Sequence, residues 1–201
     1  MSAMNIVYEH EGHLYVNVTN RCTNKCKFCI RFTPSGMDGI DLWLKREPTV
    51  DEIKAALDAA DFKKYSEIIF CGYGEPLLRW QEVAECARYI KDNSSAKVRI
   101  NTNGHANIAA GKDITPQLAG VVDTVSISLN AKNAKEYNDI CVCQYGEEGF
   151  YAMLDFAKCA KKYIPEVVLS VVDTISKEDI EACRKIANEL GVKYRVRVYS
   201  E

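Results

Sequence analysis

Leu14, Val16 and Val18 alternate with Tyr15, Asn17 and Thr19, the period of a strand with one apolar face. The strand runs into Asn20-Arg21 and a cysteine-bearing loop. From Arg31 to Pro48 the pattern dissolves around Pro34, Ser35, Gly36 and Gly39, until an apolar clasp at Leu42-Trp43-Leu44. Structureless loops of this length in a compact domain are commonly functional, so 31–48 reads as a candidate lid. Thr49 and Glu52 form a capping box ahead of Ile53, Ala56, Leu57 and Ala60, which predicts a helix over 50–63. An apolar strand over 67–73 ends in Gly72-Tyr73-Gly74-Glu75-Pro76. A helix over 80–92, a strand over 97–102, a short helix near 116–121 and a strand over 124–130 follow. Helical spacing returns over 131–140, breaks at Gly146 and Gly149, and resumes over 150–163 until Pro165. A β-branched strand over 167–172, a helix opened by Ser176 with Asp179 and closed by Gly191, and a strand over 194–199 complete the pattern.

Six strands alternating with helices predict an α/β fold with a parallel sheet and right-handed crossovers. With about 33 residues per unit, 201 residues fall short of the roughly 250 of an eight-unit barrel. The candidates are a partial (β/α)6 TIM barrel, open on one side, and a doubly wound sheet. Both gather ligands at the carboxyl ends of the strands. No internal repeat is visible, and residues 1–201 read as a single domain.

Composition changes this picture little: 47% apolar and 27% charged residues are ordinary for a globular chain. The formal net charge of −2 supplies no basic field of the kind that drives nucleic-acid binding. Met1 to Glu11 lacks the apolar core of a secretory signal, and no run approaches the roughly 18 apolar residues of a membrane span. A cytoplasmic protein without membrane attachment is the expectation. In a reducing compartment nine cysteines point to metal or catalysis rather than disulfides.

Three of the nine, Cys22, Cys26 and Cys29, fall within eight residues. Three thiolates can hold a soft metal centre, but a structural zinc site or a fully protein-ligated cubane takes four. Either another residue or a non-protein ligand completes the set. Cys86, Cys159 and Cys183 lie on apolar helix stripes, where packing accounts for them. Cys141-Val142-Cys143 is a C-x-C pair, the pattern of a second metal site, but no partner pair follows it.

The spacing Cys-x3-Cys-x2-Cys, with Phe28 before the third cysteine and Gly72-Tyr73-Gly74-Glu75-Pro76 ending the next strand, resembles the radical S-adenosylmethionine superfamily. The resemblance implies one [4Fe–4S] cluster on Cys22, Cys26 and Cys29, with S-adenosylmethionine (SAM) filling the open iron. It implies an oxygen-sensitive enzyme. One electron would cleave SAM to a 5′-deoxyadenosyl radical, which takes hydrogen from a substrate. Gly72, Tyr73, Gly74 and Glu75 would receive the methionyl ammonium. Independently, glycines 72 and 74 read as leaving backbone open to a ligand. Asn101 or Thr102 and Ser128 or Asn130 would meet the ribose, and Phe28, Val171 and Val198 the adenine; the family's glycine-rich fifth-strand motif is missing from Leu169 to Asp173.

Arg31, His105, Asp173, Arg195 and Arg197 are the ionisable groups nearest the predicted rim and the substrate candidates. Arg195 and Arg197 share a strand face, and either fork a carboxylate or phosphate or serve as surface ion pairs. Longer phrases, Leu42-Trp43-Leu44, Asn101-Thr102-Asn103-Gly104-His105, Ser128-Leu129-Asn130-Ala131 and Tyr194-Arg195-Val196-Arg197, resemble the TatD-associated radical SAM proteins. That narrower resemblance implies a pathway link to a TatD-type metal-dependent hydrolase. With no second cysteine-rich segment, no auxiliary cluster is expected, and the electron donor is expected to be external, a flavodoxin or ferredoxin. Three readings stand: a radical enzyme on a small-molecule or nucleotide-like substrate, an activase that places a radical on a protein partner, and a non-catalytic iron–sulfur or zinc protein.

Overall fold

Seven strands form one sheet in the order of the chain: β1 (Val7–His10), β2 (His13–Val16), β3 (Glu67–Phe70), β4 (Lys97–Thr102), β5 (Thr124–Ser128), β6 (Glu166–Val172) and β7 (Lys193–Arg197). The computed structural model describes residues 4–32, 37 and 39–199. β2 to β7 are parallel throughout, and β1 and β7 are unjoined edges. A doubly wound sheet reverses its strand order. This one does not, so the architecture is the partial barrel, open on one side.

The sequence pattern missed β1, which pairs antiparallel with β2 through Glu11 and Gly12. Both turn residues have positive φ, 49° and 76°, as a two-residue hairpin requires. Only four residues long and ending on Glu9-His10, β1 carries too short an alternation to stand out.

Among the described residues there are six α-helices: α1 (Val50–Ala59), α2 (Trp80–Asn93), α3 (Ala106–Ala110), α4 (Ala134–Cys141), α5 (Glu148–Ala160) and α6 (Lys177–Leu190). The capping box forms as predicted, Glu52 N–H donating to Thr49 Oγ1 at 3.2 Å and Thr49 N–H to Glu52 at 2.8 Å. The helix predicted over 50–63 ends early, because Asp61 turns left-handed at φ 51° and a 3-10 turn takes over. The short helix expected near 116–121 is a 3-10 turn at Thr115–Leu118, and α3 was not foreseen. Gly149 is no helix breaker: it sits in the first turn of α5, where a β-carbon would meet His105 Nε2 at 3.1 Å.

Residues from all six helices share one buried cluster with Leu14 and Val16 of β2, Ile68 and Phe70 of β3, Val98 and Ile100 of β4, Val125 and Ile127 of β5, and Leu169 and Val171 of β6. Each such large side chain contributes about 1.5–3 kcal/mol when fully buried. Strand alternation sends their neighbours to the opposite face, and those neighbours are largely polar. Residues 42–48 pack as a strap along β2. Leu42 is fully buried, Asn17 Nδ2 donates to Leu42 O at 2.7 Å, and Asn20 exchanges hydrogen bonds with Leu44 at 2.7 and 3.0 Å. Of the candidate lid, Thr33 to Gly36 and Asp38 lie outside the described residues.

Candidate cofactor site

The cysteine loop leaves the carboxyl end of β2 and rests on two supports. Behind it, Lys25 N–H donates to Cys141 O at 2.9 Å and Lys27 N–H to Ile140 O at 3.0 Å, so the last turn of α4 carries the loop backbone. Beside it, Glu75 N–H donates to Arg21 O at 2.7 Å. A β-carbon on Gly74 would stand 2.7 Å from Arg21 O and from the Thr19 carbonyl carbon, and one on Gly72 would stand 2.6 Å from Asn17 Cγ. A β-carbon on Gly74 is thus excluded by the main chain of Thr19 and Arg21, and one on Gly72 is crowded by the Asn17 side chain. Tyr73, between them, is buried with Tyr8 and Leu42 and meets Trp43 edge-on at 5.1 Å; it anchors the strap.

Glu75 is 4% exposed. Its Oε1 accepts from Thr102 Oγ1 at 2.7 Å and from Leu77 N–H at 3.0 Å, and its Oε2 accepts from Asn103 N–H at 2.6 Å. Burial still pushes its carboxyl up to about 7, against the pull of these donors. Asn103, passed over as a site residue in the sequence, also donates through Nδ2 to Thr23 Oγ1 at 2.8 Å and towards Cys22 Sγ at 3.7 Å. It couples the carboxylate to the cysteine loop.

Behind the loop lies a buried network. Thr23 Oγ1 is 2.9 Å from His105 Nδ1, and His105 Nε2 is 3.0 Å from Gly149 O and 3.1 Å from the Tyr137 hydroxyl, which accepts from Asn24 Nδ2 at 3.0 Å. Because Gly149 O can only accept, Nε2 carries the imidazole proton and Nδ1 accepts from Thr23. Burial depresses the His105 pKa to about 4, so the ring is neutral. His105 thus supports the loop from behind rather than facing a substrate.

Burial pushes the Cys22 thiol up to about 12 and raises Cys29; the adjoining Cys141 thiol, followed by burial, raises Cys26. Among the described residues no three Cys, His, Asp or Glu side chains converge as a single ion would need. A cluster in which three irons take one thiolate each and the fourth stays open suits three separated sulfurs on one loop. Such binding would displace the thiol protons. Asn130, at φ 58°, donates to Cys141 Sγ at 3.6 Å and keeps a buried Oδ1 without a partner.

The remaining candidates divide by face. Asn101 and Ser128 stand on the polar face, and the buried Asn101 Oδ1 has no partner. Thr102 is occupied by Glu75. Val171 belongs to the helix-side core, and Val198 lies beyond β7 at 83% exposure, so neither is brought to the cysteine loop. Phe28 is half-buried on the loop. Arg31 folds back onto it, donating to Asn24 O at 3.0 Å. Asp173 is exposed and accepts Tyr199 N–H at 2.7 Å. Arg195 and Arg197 lie on the polar face of the sheet, opposite Tyr194, whose hydroxyl reaches Ile180 O of α6.

Among curated proteins, the chain is 27% identical over 164 residues to a probable dual-specificity RNA methyltransferase RlmN of Caldanaerobacter subterraneus subsp. tengcongensis, covering 79% of this chain and 44% of that protein. The RlmN of Prochlorococcus marinus subsp. pastoris is 31% identical over 119 residues, covering 57% and 33%. The chain spans less than half the length of these relatives. Among solved structures, Streptococcus suis SuiB bound to S-adenosylmethionine superposes with a TM-score of 0.67 at 18% identity, covering 93% of this chain and 38% of that one. The same partial-barrel fold is shared. The Radical SAM superfamily model matches residues 16–190, and the chain belongs to that superfamily of enzymes.

Proposed function

We propose that the protein is a radical SAM enzyme in which Cys22, Cys26 and Cys29 hold one [4Fe–4S] cluster and Glu75 receives the ammonium of SAM. The observation that supports this reading is the link from Glu75 through Asn103 to Cys22, which ties a buried carboxyl to the cysteine loop. When bound, the cluster supplies one electron to the sulfonium. With SAM held there, that electron would give the site 5′-deoxyadenosyl radical chemistry, hydrogen abstraction from a substrate. The chain's own residues do the rest. Glu75 orients the methionyl end, Asn130 and Asn101 offer unpartnered oxygens, and Arg31 and α4 hold the loop's shape. The substrate is a small or nucleotide-like molecule entering through the open side of the barrel, and the electron comes from a separate flavodoxin or ferredoxin.

Anaerobic reconstitution, then dithionite and SAM, tests this: 5′-deoxyadenosine should form, with about four irons per chain as a [4Fe–4S] centre requires. Full iron content without 5′-deoxyadenosine would leave the non-catalytic reading in its place. Deuterium passing into 5′-deoxyadenosine from a labelled protein, rather than a metabolite, would favour the activase. The RlmN relatives favour a second reading, methyl transfer to RNA; label moving from methyl-labelled SAM to RNA would support it.

A further inference from the structure

The face of the sheet turned away from the helices is a polar wall with two cations that lack a carboxylate partner among the described residues. Alternation places Arg99 and Asn101, Thr124, Ser126 and Ser128, Val168 and Ser170, and Lys193, Arg195 and Arg197 on it, opposite the core residues Ile100, Ile127 and Leu169. Registry lines up Ser128 with Ser170 and Ser170 with Arg195, and sets Arg197 beside Val172. A cavity of about 220 Å³ opens on this face, lined by Arg99, Thr124, Ser126, Glu166, Val168 and Arg195 among others. It lies towards the amino ends of the strands and reaches Arg195 but not Arg197.

At the amino end of the wall the charges cancel, because Arg99 pairs with Glu67 and Lys193 with Glu166. Further along β7 they do not. Among the described residues neither Arg195 nor Arg197 has a carboxylate partner, and Arg197 Nε is buried with no hydrogen-bond acceptor. Arg197 stands at the carboxyl end of β7, the same end of the sheet from which the cysteine loop leaves β2. Arg197 is half-buried and Arg195 exposed, so it is the buried Nε, with no acceptor, that an anion would satisfy, and a planar fork matches a carboxylate or phosphate in two-point contact.

We propose that Arg195 and Arg197 bind the anionic group, carboxylate or phosphate, of the substrate, resting on the radical-enzyme reading above. Ser128, Ser170 and Asn101 line the approach with hydroxyl and amide groups, and Arg197 sets the anion at the cluster end of the wall.

The test uses the reconstituted chain saturated with SAM, so that SAM's own carboxylate is already placed. Inorganic phosphate and malonate are titrated by calorimetry against wild type, Arg195→Gln and Arg195→Gln/Arg197→Gln, with iron content and circular dichroism matched. The expected result is saturable binding of one anion, weakened severalfold in Arg195→Gln and at least tenfold in the double variant, with SAM affinity changed less than threefold. Which anion binds identifies the group. Equal anion binding by wild type and double variant would overturn the proposal. So would parallel loss of SAM, which would give the guanidinium to SAM's carboxylate. Absence of 5′-deoxyadenosine from the wild type would overturn the radical reading instead, while the titration would still read the arginines.

Discussion

Glu75 and Asn103 are joined by a 2.6 Å hydrogen bond from the Asn103 backbone to Oε2, and the Asn103 side chain extends the contact to Cys22. The carboxyl is raised to about 7 because it is buried. An ammonium favours the carboxylate, so SAM binding should tighten as pH rises towards 7, up to about tenfold per unit below it. Glu75→Gln should abolish that pH dependence and weaken binding by about 1.5–3 kcal/mol, the range for a hydrogen bond to a charged group. Calorimetric SAM affinity from pH 5.5 to 8 checks this; a flat wild-type profile would remove Glu75 from the ammonium site.

The Asn103 side chain donates to Thr23 Oγ1 at 2.8 Å and towards Cys22 Sγ at 3.7 Å. A hydrogen bond to a cluster sulfur stabilises the reduced, more negative state and raises the potential. Asn103→Ala should lower the midpoint potential of the reconstituted cluster and cost about 1–3 kcal/mol, since Thr23 and the His105 amide lose a buried partner. Spectroscopic redox titration is decisive here: an unchanged potential would reduce Asn103 to a structural tie.

Much of this was legible in the sequence because it is local. The cysteine spacing, the Thr49 capping box and the apolar runs of β3 and β6 each lie within one segment. What escaped depends on the chain returning to itself. Nothing near Gly74 announces that Thr19 and Arg21 will cross it, and nothing near Tyr137 or Cys141, four apart on α4, announces that they will back the cysteine loop. His105 looked like a rim residue because it follows β4 directly; α3 begins there and turns it inward.

The crossing at Gly74 predicts an order of severity. Its β-carbon would strike main-chain atoms of Thr19 and Arg21, whereas that of Gly72 would strike the Asn17 side chain, which can rotate at the loss of its bond to Leu42 O. Gly74→Ala should exceed the about 1–3 kcal/mol usual for overpacking and lose iron on reconstitution, and Gly72→Ala should fall within that range. Denaturant unfolding and iron content rank them; a milder Gly74→Ala would break the argument that this crossing sets the loop.

Glu75 and His105 give the metal-free chain two opposed titrations over nearly one window. Glu75 is raised from 4.5 to about 7, so the folded state holds the extra proton and stability falls as pH rises through that interval. His105 is lowered from 6.5 to about 4, so the unfolded state holds the extra proton and stability rises with pH between those values. The two slopes oppose each other from about pH 4.5 to 6.5. Removing either group should therefore expose the other: Glu75→Gln should give stability that climbs with pH, and His105→Asn stability that declines, whatever each substitution costs in absolute terms. Urea midpoints at half-unit steps from pH 4.5 to 7 would show the two slopes diverging, and variants that shared one slope would mean that the two buried groups do not titrate as their surroundings dictate.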